Sequence, residues 1–232
     1  NYAIIYVDGR CNMKCGFCIH AAVDARATPS SISPEQWGQI FKKANSLLHL
    51  TVTGGEPFLR KDFVEIIDNI ILKCNVPRIS IKSNGFYVDR IKEYVPKLIE
   101  KHPNTEFTLS ISLDGPEEIH DKVRVFKGAY KKVLETIAEM QQYRKKPNFF
   151  LRLASVITQD NKHILDKLFE ETATWPIDFH ELILLRDVSP KEQLALKYDY
   201  ERLSKIQHSR TSKTWQKSFN GKLFEKIFLE TI

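Results

Sequence analysis

Six short runs rich in β-branched and aromatic residues, alternating with helical patterns, constrain the fold of this 232-residue chain more than any other feature. The runs fall at residues 3–7, 49–53, 78–82, 106–113, 149–156 and 179–185. Between them lie apolar stripes at helical spacing. Trp37, Ile40, Phe41 and Ala44 mark a first helix, opened by Ser33, Pro34 and Gln36 in the order of a capping box. Phe63, Ile66, Ile67, Ile70 and Ile71 mark a second, and further helices are predicted around 89–101, 130–143 and 164–174. Strands alternating with helices predict an α/β fold with a parallel sheet. A hydrophobic content of 42% is enough to give such a sheet a full core.

In a parallel α/β sheet, ligands gather at the carboxyl ends of the strands, and the segments that follow the first four runs are unusual. After the first comes C-N-M-K-C-G-F-C, with Cys11, Cys15 and Cys18 accounting for three of the four cysteines. Thiolates grouped this closely suit a soft metal or an iron–sulfur cluster. A closed structural site takes four protein ligands, so three leave one position open for chemistry. Zinc, with His20 or His49 as a fourth ligand, is the alternative. After the second run comes Gly54-Gly55-Glu56-Pro57, where glycines admit close backbone approach and a carboxylate or carbonyl can accept from an ammonium group. Ser83-Asn84-Gly85 follows the third run. Ser112 and Asp114 straddle the end of the fourth, with Arg124 ten residues beyond. Serine and arginine together suit a carboxylate. Asn84-Gly85 and Asp114-Gly115 are also ordinary turn pairs. Cys74, at the predicted end of the second helix, reads as a small buried hydrophobe.

These motifs, in this order, resemble the radical S-adenosylmethionine (radical SAM) superfamily over roughly residues 2–185. C-x3-C-x2-C, G-G-E-P, S-N-G and S-L-D-G-P with His120, Asp121 and Arg124 are similar to the branch of sulfatase-maturating and peptide-modifying enzymes that carry C-terminal cysteine-rich domains. The resemblance implies a partial (β/α)6, TIM-like barrel open on one side. It implies that Cys11, Cys15 and Cys18 each hold one iron of a 4Fe–4S cluster whose fourth iron is chelated by S-adenosylmethionine. One electron then cleaves the sulfonium to a 5′-deoxyadenosyl radical that abstracts a substrate hydrogen. It further implies that Gly54, Gly55, Glu56 and Pro57 hold the methionyl amine and that Ser83 and Asn84 meet the ribose. Ser112, Asp114 and Arg124 fall at the methionyl carboxylate, and Phe17 and backbone atoms of Ile157 at the adenine. Arg186, Asp187, His20, His120 and Arg152 are candidates to face substrate.

Unlike that branch, the chain has no cysteine after Cys74. Either the cysteine-rich domain was lost or this is a core excised from something longer, and a start at Asn1 rather than Met fits the second. Residues 1–185 are expected to form the barrel. Residues 186–232 are expected to be a helical, basic extension packed on it, with Lys205, Arg210, Lys213, Lys217 and Lys222 leading to an amphipathic pattern at Leu223, Phe224, Ile227 and Phe228. A net charge of +6 is modest for this length, and nucleic acid is not the expected partner. No apolar run reaches the roughly 18 residues of a membrane span, and thiols without disulfide spacing suit a reducing cytoplasm. The expected partners are a peptide or small-molecule substrate and a reductant such as a flavodoxin or ferredoxin. A zinc or iron–sulfur binding module, or a catalytically incomplete core, is the alternative to an enzyme.

Overall fold

Each strand pairs in parallel with the one before it, so every connection must leave one end of the sheet and return to the other across a face. The computed structural model describes residues 1–18, 30–44, 46–185, 196–197 and 199–203. Within them the order is β1 (Tyr2–Tyr6), α1 (Pro34–Lys42), β2 (His49–Thr53), α2 (Phe63–Lys73), β3 (Arg78–Ser83), α3 (Val88–Lys101) and β4 (Glu106–Ser112). There follow α4 (Glu117–Arg124), α5 (Ala129–Met140), β5 (Phe149–Ile157), α6 (Leu165–Thr172) and β6 (Phe179–Leu184). The sheet runs β1-β2-β3-β4-β5-β6, and β1 and β6 are edges that do not pair with each other. This is an open α/β partial barrel.

Side chains alternate between the two faces of each strand, and the two faces differ in chemistry. Val52, Ile79, Ile81, Leu109, Ile111, Leu151 and Leu153 are fully or almost fully buried against Phe63, Ile66, Ile70, Ile91, Val95 and Leu98 of the helices. The other face carries Thr51, Ser80, Lys82, Thr108, Ser110, Arg152 and Glu181. Along β1 that face presents Tyr2, Ile4 and Tyr6, all exposed, and the Tyr2 hydroxyl lies 2.9 Å from Thr51 Oγ1. The helices therefore cover only the outer, convex side.

The α1 capping box forms as the sequence predicts: the Gln36 N–H donates to Ser33 Oγ and the Ser33 N–H to Gln36 Oε1. Two expectations need correction. Ile40, assigned to the α1 stripe, is 50% exposed, because α1 docks on α2 through Trp37, Gly38 and Phe41 and Ile40 projects past that contact. The segment after Asp114-Gly115 is not only a loop: it contains α4, a polar stub whose apolar residues are Ile119 and Val123, too few to show a stripe. Its C-cap, Val125, sits at φ 51°, a left-handed conformation rare for a β-branched residue. Asp121 of α4 accepts from the N–H groups of Gly128 and Tyr130, capping α5.

Residues 199–203 are helical, and Leu196 and Leu203 are fully buried in the main core. Arg202 and Asp199 pair with Asp166 at 2.6 Å and Lys162 at 3.2 Å, which ties this segment to the neighbourhood of α6. The basic stretch and the amphipathic pattern expected beyond it lie outside the described residues, as do His20, Arg186 and Asp187. No helix of the described residues is long and apolar enough to cross a membrane.

One buried polar cluster makes the fold sensitive to acid. His180 on β6 is held between Ser155 Oγ and Thr172 Oγ1, each 2.8 Å from a ring nitrogen, and burial pushes its pKa down to about 3. A histidine whose folded pKa is depressed contributes stability that is complete above the unfolded value near 6.5 and is lost as pH falls below it. We predict that the stability advantage of the wild type over His180→Gln shrinks between pH 6.5 and pH 3, by up to about 1.4 kcal/mol per pH unit. Urea titrations at several pH values check this; an advantage independent of pH would contradict it.

Candidate functional site

The carboxyl ends of all six strands lie on one rim, and the first two loops continue the β1–β2 ladder past its end. The Val7 N–H donates to Thr53 O, that of Gly55 to Asp8 O and that of Glu56 to Arg10 O, at 2.9, 2.8 and 2.8 Å. This explains the paired glycines. A Cβ on Gly54 would stand 2.4 Å from Asp8 O, and one on Gly55 only 2.1 Å from Arg10 O. The close approach these glycines allow here is to the cysteine loop's own backbone. Asp8, buried at the end of the first strand run, is gripped by the Arg10 guanidinium, with Nη2 2.6 Å from Oδ2. The sequence reading missed both residues, although an aspartate directly after a buried strand on the ligand rim is a usable signal.

Glu56 is 1% exposed and turned inward. Its carboxylate accepts from Ser83 Oγ at 2.9 Å, the Asn84 N–H at 2.8 Å and the Phe58 N–H at 3.2 Å. Burial raises its pKa to about 7 against those three hydrogen bonds. Pro57 follows at the start of a single 3-10 turn, Pro57–Leu59. Ser83 is thus committed to Glu56 and to the N–H of Gly85. Asn84 donates from Nδ2 to Asn12 Oδ1 at 2.8 Å and lies 3.9 Å from Cys11 Sγ. The G-G-E-P and S-N-G segments therefore form one joined structure beside the cysteine loop.

Cys11, Cys15 and Cys18 fall in a single small cluster with Met13, Phe17, Phe86, Phe126 and Ala129, apart from the main core. None of the chain's cysteines is in a disulfide. The Met13 N–H points at Cys11 Sγ (3.4 Å), and Arg124 Nη1 at Cys15 Sγ (3.7 Å). Burial pushes the Cys11 thiol up to about 11 and also raises that of Cys15. Among the described residues no three Cys, His, Asp or Glu side chains converge on a single ion. His49, offered as a fourth zinc ligand, opens β2 and so lies at the opposite end of the sheet. Three soft sulfurs gathered in one apolar nest fit the ligand chemistry of an iron–sulfur cluster.

The β4 loop supplies the charge. Asp114 is fully buried, with Oδ2 2.6 Å from Arg124 Nε and Oδ1 accepting from the Val156 N–H at 2.9 Å. Its backbone is also held: its N–H donates to His120 Nδ1, and its carbonyl accepts from Asn161 Nδ2. Burial lowers the His120 pKa to about 4, so the ring is neutral, as an Nδ1 acceptor must be. Arg124, 7% exposed, lies with its guanidinium carbon 5.3 Å from the Phe17 ring centroid. Burial opposes its charge, but Asp114 and the Cys15 sulfur overcome this and raise its pKa. Asp114 thus stands behind Arg124, positioning it. The Ser112 hydroxyl, on the concave face, has no hydrogen-bond partner among the described residues. Ile157 proves to be the last residue of β5 rather than one beyond it, and its side chain is fully buried. Cys74 is buried as the C-cap of α2, at the other rim. Asn161, which holds the Asp114 carbonyl, carries no distinguishing signal in the sequence.

A family model of the radical SAM superfamily matches residues 5–170. The chain belongs to the radical SAM superfamily. Like other members, it has relatives of diverse function. It is 27% identical over 165 residues to the sporulation killing factor maturation protein SkfB of Bacillus subtilis, covering 70% of this chain and 37% of SkfB. It is 25% identical over 222 residues to a GTP 3′,8-cyclase of Synechocystis, covering 93% and 64%. The fold is similar to that of Streptococcus suis SuiB, solved bound to its precursor peptide SuiA, with a TM-score of 0.66 at 18% identity over 91% of this chain and 46% of SuiB. The chain thus spans between about a third and two thirds of the length of these relatives.

Removing one partner of a buried pair leaves the other charge uncompensated, at a cost of about 3–5 kcal/mol. Asp114→Asn is therefore expected to lower unfolding free energy by about that amount in urea titrations, while Asp160→Asn, at the surface, changes it little. Equal effects would contradict the anchoring role.

Proposed function

We propose that this chain is the catalytic core of a radical SAM enzyme acting on a peptide or a small molecule. The observation that carries the reading is the cysteine nest: three thiols in one apolar cluster, with the Arg124 guanidinium at one of them and the Asn84 amide at another. Cys11, Cys15 and Cys18 would each hold one iron of a 4Fe–4S cluster. With S-adenosylmethionine bound beside it, such a cluster would supply the electron for reductive cleavage of SAM, the chemistry that starts hydrogen abstraction from substrate.

The chain's own residues bind, orient and exclude water. With the Glu56 carboxylate occupied by Ser83, Asn84 and Phe58, and the Glu56 and Pro57 carbonyls accepting from Leu59 and Arg60, the Gly54 and Gly55 carbonyls are the acceptors that the Gly54-Gly55-Glu56-Pro57 segment offers the methionyl amine. Arg124, held by Asp114, and the Ser112 hydroxyl, without a partner among the described residues, are the donors for the methionyl carboxylate. Ser83 and Asn84 flank the ribose position, and Phe17 with the Ile157 backbone the adenine. A flavodoxin or ferredoxin would supply the electron. A peptide substrate is favoured by likeness to a maturation protein and to a protein solved with a precursor peptide.

Anaerobically reconstituted wild-type protein is expected to form 5′-deoxyadenosine from SAM with dithionite, and Cys15→Ala to form none above background. Chromatographic quantification of the product checks both. Full cleavage by Cys15→Ala, or none by wild type carrying about four irons, would overturn the reading.

A further inference from the structure

The concave face of the sheet holds a cation that makes no direct ion pair among the described residues. Arg152 lies mid-way along β5, registered with Ser110 on β4 and Phe179 on β6. Its guanidinium carbon is 5.9 Å from the ring centroids of both Phe150 and Phe179. Among the described residues it makes no hydrogen bond or ion pair, and Nε is buried without a partner. Each carboxylate near enough to act on it is held elsewhere: Glu181 by Lys82 at 2.8 Å, Asp178 by Arg144 at 2.8 Å and Glu106 by Arg78 at 3.9 Å. Burial pushes its pKa down, yet a guanidinium remains charged. A half-buried arginine with unmet donors costs folding free energy, which is a reason to look for a ligand that meets them.

The surroundings say what kind of ligand fits. Lys82 reaches both Glu181 and, at 3.3 Å, Ser110 Oγ, forming a neutral bridge about a third exposed across this face. That leaves one positive charge flanked by two aromatic rings. A monoanion matches it, whereas a phosphate dianion would also meet the Glu181 carboxylate. Ser112, two residues up the neighbouring strand from the Ser110 level, places Arg152 about 6.6 Å of strand below the rim where the cysteines gather.

We propose that Arg152 anchors the substrate, taking one substrate carboxylate in a two-point fork while Phe150 and Phe179 hold the apolar group attached to it. This rests on the reading above and names the substrate class: an acid with an apolar or aromatic neighbour. The carboxylate belongs either to an acidic side chain of a peptide or to a free carboxylic acid.

Ligand-observed NMR titration of the full chain distinguishes these sources. The probes are 3-phenylpropionate and acetyl-Phe-Glu-Phe-amide, each beside its neutral counterpart, 3-phenylpropanamide and acetyl-Phe-Gln-Phe-amide. At least one acid is expected to bind wild type about tenfold or more tightly than its amide. Arg152→Met removes that preference and Arg152→Lys keeps part of it. A preference confined to the peptide pair assigns a side-chain carboxylate, and one confined to 3-phenylpropionate a free acid. Equal binding of acid and amide, no binding of any probe, or a preference unchanged in Arg152→Met would overturn the proposal. The acid–amide comparison on wild type decides even if a variant misfolds. Because binding is read without SAM or reductant, a chain that binds carboxylate but fails to cleave SAM would sink the enzyme reading alone.

Discussion

The buried Asp114 carboxylate connects more of the rim than any other group. The carboxylate takes the Val156 N–H and so ties the end of β4 to the end of β5, while the residue's backbone carbonyl accepts from Asn161 and its backbone N–H donates to His120 of α4. Through Arg124 the carboxylate reaches across to the cysteine loop that follows β1. A carboxylate with no solvent must have all its acceptor capacity met, and here the groups that meet it come from different loops. The position of the Arg124 guanidinium beside Cys15 is thereby set by the sheet rather than by a flexible side chain in water. Glu56 does the same on the other side, joining the β2 and β3 loops through Ser83 and Asn84.

Below the rim, the division of the sheet into two chemistries follows from its topology. Parallel crossovers put every helix on one side, so only that side needs to be apolar. The other side is released from packing duty and carries Lys82, Arg152, Glu181 and a row of hydroxyls. Where a core would have demanded Val or Leu, this face holds charges whose arrangement favours an acidic ligand. On the proposed reading, the cysteine nest lies at the rim of the sheet and the substrate anchor, Arg152, at mid-strand below it.

The strands were legible because a buried parallel strand reads as an unbroken β-branched run, and all six appear within a residue or so of their expected bounds. The cysteines and Gly54-Gly55 stood out as unusual residue types at strand ends, and the structure gathers the cysteines in one nest with the glycines against the backbone of their loop. The role of Asp114 was not legible: Asp-Gly after a strand looks like a turn, and only the fold shows a buried carboxylate met by Arg124 and the Val156 N–H. The α4 stub was hidden by its polarity, since Ile119 and Val123 alone make no stripe. Arg152 was visible as an arginine amid F-F-L-R-L-A, but which face it occupies depends on where the helices pack, and its lack of a counter-charge depends on three ion pairs made by residues distant in sequence.

The central claim is that three thiols hold a four-iron cluster and leave one iron for SAM. Mössbauer spectroscopy of protein reconstituted with 57Fe tests it most directly, with spectra taken before and after SAM is added. The account predicts that one iron in four changes its parameters while three stay as they were. An absence of cluster, or a spectrum that SAM leaves untouched, would contradict it.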